Sequence, residues 1–189
     1  MRIRNVGRSL TLVVCLALAA TLVLPAVSYA KTKTEIDASV NTALARFTAQ
    51  VKGAQRLLSS AKAVLVFAGV IKAGAGIGGE YGEGALRVGG RTVAYYNIAS
   101  ASIGLQFGIQ RKDVIIVFLQ DKALAGFRAK QGWQVGVDGS IVVVNVGANA
   151  SIDTTKLNQP IVAFVVGQRG LMYNLTLEGT KMSRIYPKY

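Results

Sequence analysis

From Thr34 to Ser60 the apolar residues Ile36, Val40, Leu44, Phe47, Val51, Ala54 and Leu58 recur at three- and four-residue steps. At about 100° per residue they fall within an arc of roughly 80°, which predicts one amphipathic helix. Thr34 is placed to cap it, and Asp37 puts negative charge into its first turn. Gly53 is its weak point, costing about 1 kcal/mol against alanine. Such a stripe either covers the core of its own domain or enters a lipid interface, where Lys52, Arg56 and Lys62 would face an anionic leaflet. The pattern is compatible with both.

Beyond Ala61 the period changes to two. Strands are predicted at Ala63–Gly69, Ile77–Val88, Thr92–Asn97, Ser102–Gln110 and Val114–Leu119. Alternation is strictest at Ile103, Leu105, Phe107 and Ile109, whose partners are Gly104, Gln106, Gly108 and Gln110, so one face is greasy and the other small or polar. A short helix is predicted from Asp121 to Lys130, capped by Asp121 and turning Leu124 and Phe127 inward. Further strands are predicted at Gln134–Val137, Ile141–Val146, Ala148–Ile152, Ile161–Val166, Leu171–Leu177 and Met182–Ile185. The expected fold class is α+β, an N-terminal amphipathic helix packed on a strongly curved, mostly antiparallel sheet or barrel, with one short internal helix. Nine glycines between Gly69 and Gly90 favour curvature, because strand glycines serve bulges, bends and close approaches.

The first thirty residues differ from the rest. Arg2, Arg4 and Arg8 precede a 15-residue apolar run from Leu10 to Leu24, then Pro25 and the small-residue ending Ser28-Tyr29-Ala30. This is the layout of a secretory signal peptide, and the run is shorter than the roughly 20 residues needed to span a bilayer. The expectation is an exported protein, periplasmic, envelope-associated or secreted, whose residues 31–189 form a single domain. Cys15 is the only cysteine and lies in a weak likeness of a lipid-attachment site, with bulky Val14 where a small residue is wanted. The domain therefore has no disulfide to rely on. Its 19 basic against nine acidic side chains leave a net charge of +10, a field that attracts anionic lipid, acidic polymers or acidic proteins. Export argues against nucleic acid as the partner.

Histidine is absent, as is cysteine after residue 30, which removes the commonest zinc ligands and the usual base for a serine or thiol nucleophile. Gly74, Gly76 and Gly79 have dinucleotide-motif spacing, but Glu80-Tyr81-Gly82-Glu83-Gly84 is a poor helix opening for a phosphate. Ser59-Ser60-Ala61-Lys62 matches a serine-x-x-lysine spacing without the companion motifs of that enzyme class. Glu80 and Glu83, three apart on a strand, point to opposite faces unless a bulge realigns them; their plainer reading is an exposed glycine-flanked turn. Trp133, Tyr81, Tyr95 and Tyr96 suit either an interface or a core. Asn174-Leu175-Thr176 fits a glycosylation acceptor but lies in a predicted strand.

Lys72-Ala73-Gly74, the run Gly78-Gly79-Glu80-Tyr81-Gly82-Glu83-Gly84, and the stretch from Ala101 to Gly108 resemble the SYLF lipid-binding domain family. Val135-Gly136-Val137-Asp138, Gly170-Leu171 and Leu177-Glu178-Gly179 continue the resemblance, which spans about Ala61 to Ile185. It implies a non-enzymatic binding domain without a cofactor, whose eukaryotic relatives bind phosphoinositide membranes and whose fungal ones bind actin filaments. Where eukaryotic members carry a Trp-Ser-Pro-like segment, this chain has Tyr95-Tyr96-Asn97. The expected partner is an anionic lipid or membrane surface, with an acidic polymer or a protein filament of actin type as the alternative. Lys52, Arg56, Lys62 and Lys72 are the candidate lipid-binding residues.

Overall fold

The computed structural model describes residues 30–146, 158–170, 177 and 179–189, with the side chains of 104–106 excepted. The expected signal segment, the strand at 148–152, nearly all of that at 171–177 and the acceptor site at 174–176 lie outside the described residues. Lys31–Tyr189 forms one contact unit, and both of its core clusters draw only on residues within it, so this stretch carries its own core.

The fold is α+β. The leading helix is two helices, α1 (Lys33–Gln50) and α2 (Ala54–Ser60), broken at Val51–Gly53, where Gly53 takes φ 90°. The predicted cap is displaced by two residues. Thr32, not Thr34, starts α1, its hydroxyl accepting from Glu35 N–H while the Glu35 carboxylate accepts from Thr32 N–H. This reciprocal box satisfies two donors that a helix start otherwise leaves open. Five of the predicted stripe residues, Ile36, Val40, Phe47, Val51 and Ala54, are buried together with Ala43 and Leu57 against Val64, Val66, Ile115, Val117 and Phe164, while Leu44 and Leu58 are only partly buried. Of the two fates open to the helix, covering its own core is the one observed.

The five strands expected between Ala63 and Leu119 are two, β1 (Ala63–Val88) and β2 (Arg91–Phe118), a long antiparallel ribbon closed by Gly89-Gly90. Both turn glycines have positive φ, the geometry of a two-residue hairpin. The glycine-rich stretches do not end strands here. They bend them, at register shifts between Phe67 and Val70 and between Ala75 and Ile77. At the second the ribbon turns a corner and folds back, so that Gly82 and Gly84 come against Val70 and Val66 of the same strand.

The internal helix α3 (Asp121–Arg128) turns Leu124 and Phe127 inward as expected, while Asp121 pairs with Lys62 at 3.1 Å instead of capping. The remaining strands are β3 (Gly132–Gln134), β4 (Val142–Asn145), β5 (Ile161–Gly170) and β6 (Lys181–Ile185). The sheet runs β3-β6-β2-β5-β4, with β1 on the other edge of β2 and, among the described strands, only the β4–β5 pair parallel. One face carries α1 and α2. The other encloses a second core of Leu65, Phe67, Ile98, Val114 and Phe118 around Phe127 and Trp133. Residues 31–33 and 186–189 are tied together, Lys33 N–H donating to Lys188 carbonyl at 2.9 Å.

Candidate functional site

Helix α1 covers the ribbon only part of the way. Towards the corner, the same face goes on without a helix over it, through the cross-strand pairs Ile71–Arg111, Ala73–Ile109, Ala75–Phe107 and Ile77–Ile103. Ile77, Ile103 and Phe107 are 73%, 88% and 86% exposed, and Ile71 and Ile109 are also exposed. Ile103, Phe107 and Ile109 of the greasy alternation read in the sequence face outward. The opposite face of the same stretch holds buried Lys72, Gln110 and Lys112. Polarity is thus inverted at this end, charged and amide side chains inside and large apolar ones outside. A ribbon in water gains nothing from that order, whereas a ribbon touching an apolar medium requires it.

Between the covered and uncovered parts lies a polar hub. Asp113, 5% exposed, accepts Gly69 N–H on Oδ1 at 2.8 Å and pairs through Oδ2 with the Arg46 guanidinium from α1. Gly69 (φ 68°) and Gly167 (φ 63°) sit on the two strands flanking Asp113, each at a register shift. A Cβ at Gly167 would come within 3.1 Å of Arg46 Cδ. The two bulges therefore make room for one part-buried charge pair and join the helix to three strands. Sequence reasoning missed both partners. The available signal was a lone carboxylate, Asp113, at the mouth of an apolar strand.

Residues 99–185 match the family model described as Ysc84, Las17-binding protein actin regulator. Over these residues, just under half of the chain, the protein is similar to the SYLF family. No curated protein matches the chain.

The matched region begins in β2 and runs through β6, and the sequence-predicted residues fall around it without converging. Lys52 precedes α2, Arg56 lies on it and Lys62 follows it, and all three are exposed. Lys72 is buried inside the folded ribbon, where desolvation lowers its pKa against the pull of Glu80, and Lys112 lowers it further. Lys112 Nζ donates to Glu80 Oε2 at 2.9 Å, and Glu80 Oε1 is buried with no hydrogen-bond partner among the described residues. Glu80 and Glu83 are not in an exposed turn. Both are buried within β1 on opposite faces, Glu83 accepting Tyr81 hydroxyl at 2.9 Å and Lys31 N–H at 3.1 Å.

Other motifs resolve similarly. The Gly74–Gly79 string is strand throughout, with no helix start after it, and Ser59 hydroxyl donates to Gln55 carbonyl at 2.9 Å within α2. Trp133 and Tyr96 are core residues. Tyr95 donates to Asp37 at 2.9 Å, and burial together with that carboxylate pushes its phenol up to about 12. Among the described residues no helix is long and apolar enough to cross a membrane, and no cluster of metal-ligating side chains occurs.

Proposed function

We propose that residues 31–189 form a non-enzymatic domain that associates peripherally with anionic lipid, in the cell envelope after export directed by residues 1–30. The observation that carries this is the outward-facing apolar corner of the β1–β2 ribbon, Ile77, Ile103 and Phe107 with Ile71 and Ile109. Fully burying an isoleucine or phenylalanine side chain is worth about 1.5–3 kcal/mol. A shallow insertion of several therefore suffices for reversible adhesion. The net charge of +10 on residues 31–189, and Arg111 directly beside Ile71 across the ribbon, favour an anionic surface over a neutral one. The α1 stripe is not the contact in this reading, because the sheet already occupies it.

Co-sedimentation of the 31–189 fragment with vesicles tests this. Binding is expected to phosphatidylglycerol-containing vesicles, weakening with salt, and much less to phosphatidylcholine alone. Ile103→Asp with Phe107→Asp should cut binding at least tenfold while leaving the melting temperature unchanged, since both side chains are solvent-exposed. Equal binding by the variant would contradict the proposal. So would a change in oligomeric state on the same substitutions, because a second copy would then be the occupant of the corner.

A second reading is favoured by the family description, which names Las17 binding and actin regulation. In it the basic surface meets an acidic protein filament or polymer, and co-pelleting with filaments in the absence of lipid separates it from the first.

A further inference from the structure

We infer that the pocket between α1 and the β1–β2–β5 face is a binding site for a phosphate group, held chiefly by Arg111 and Arg169. Arg111 and Arg169 are direct partners across the β2–β5 ladder and line the same pocket of about 300 Å³, together with Arg46 and Asp113. Like charges directly opposite on neighbouring strands repel and destabilise the sheet. The one carboxylate in the pocket does not relieve this, because Asp113 is engaged by Arg46 and by Gly69 N–H. Among the described residues neither Arg111 nor Arg169 has an ion-pair partner. The pocket thus carries three guanidiniums against one carboxylate, a surplus of two positive charges, which is the charge of a phosphate dianion.

The geometry is built as well as charged. Arg111 lies on the Gly69 bulge so closely that a Cβ there would be 2.6 Å from its Nη2, which restricts where the guanidinium can go. Arg46 is seated on the Gly167 bulge and tied to Asp113. Planar guanidinium forks bind phosphate oxygens in pairs, and a fork already held in place loses less freedom on binding. Ser39 and Thr42 of α1 stand on the pocket wall, their hydroxyls donating to the carbonyls of Glu35 and Ala38 and so keeping acceptor lone pairs towards any protonated phosphate oxygen. The site adjoins the apolar corner and shares Arg111 with it, but phosphate binding does not depend on the apolar side chains there. The phosphate could be that of a lipid head group or of a soluble phosphate ester, and the chemistry of recognition is the same.

Titration of the ¹⁵N-labelled 31–189 fragment with inorganic phosphate, against sodium chloride at matched ionic strength, tests the site. Saturable shifts are expected at the amides of Gly69 and Gly167, and phosphate should raise the melting temperature. Arg111→Gln with Arg169→Gln should weaken phosphate at least tenfold and leave unliganded stability the same or higher, as the facing pair is removed. Lys122→Gln with Arg128→Gln removes the same charge elsewhere, on exposed positions of α3, and should change little. No saturable shift, or equal loss in both double variants, would overturn the site, the latter reducing it to the general field of the protein. A parallel arm compares vesicles of phosphatidic acid and phosphatidylglycerol at equal mole fraction. A preference for phosphatidic acid that the arginine variant abolishes assigns the phosphate to a lipid. Phosphate binding without that preference assigns it to a soluble ester, and the site stands in either case.

Discussion

Gly84→Ala is expected to lower the stability of the 31–189 fragment by more than about 3 kcal/mol in urea unfolding, above the usual range for overpacking. A Cβ at Gly84 would lie 2.0 Å from the Val66 carbonyl oxygen and 2.7 Å from its carbon, both backbone atoms. No rotamer change relieves that contact, so the two halves of β1 must separate where the ribbon folds back. The backbone angle plays no part, since Gly84 is not among the residues with positive φ. Gly79→Ala is the matched control. Its Cβ would meet nothing nearer than Ser100 carbonyl oxygen at 3.8 Å, and its stability should stay within about 1 kcal/mol.

Asp113→Ala is expected to cost about 2–3 kcal/mol. Removing the carboxylate leaves Gly69 N–H without its acceptor and Arg46 without its counter-charge. The figure sits below that for a fully buried pair because the Arg46 side chain is 36% exposed and can turn to water. Asp113→Asn keeps an acceptor for Gly69 and should cost less, about 1–2 kcal/mol. Hydrogen exchange would separate this from a general loosening. The amides of α1 nearest Arg46 should lose protection first, because the pair is what links the helix to β2 at that point.

The parts of the fold legible in the sequence were those with a strong period and a buried face. The α1 stripe is one, since Ile36, Val40 and Phe47 are all core residues, and Leu124 and Phe127 of α3 are another. Gly53 was recognisable as a weak point, but not as the position that ends one helix and starts the next. The ribbon was harder. Glycine runs read as interruptions are bulges and close approaches within continuous strands, and only tertiary contacts such as Gly84 against Val66 distinguish the two. Alternation reports which side chains share a face and not which face meets solvent. The outward turn of Ile103 and Phe107, with Lys72 and Lys112 inside, was therefore hidden. Lys72, chosen for its charge, is buried for the same reason. The arginine pocket was hidden by distance along the chain. Arg46 and Asp113 are 67 residues apart, and the Arg111–Arg169 pairing follows from strand register, which periodicity alone does not fix.

The central claim is that lipid meets the corner of the ribbon and not the leading helix. With Cys15 outside the 31–189 fragment, a single cysteine can be placed at Phe107 or at Lys52 and labelled with an environment-sensitive fluorophore. On adding phosphatidylglycerol vesicles, the label at 107 should shift to the blue and become inaccessible to an aqueous quencher, while that at 52 stays in water. A blue shift at 52 with 107 unchanged would contradict the account.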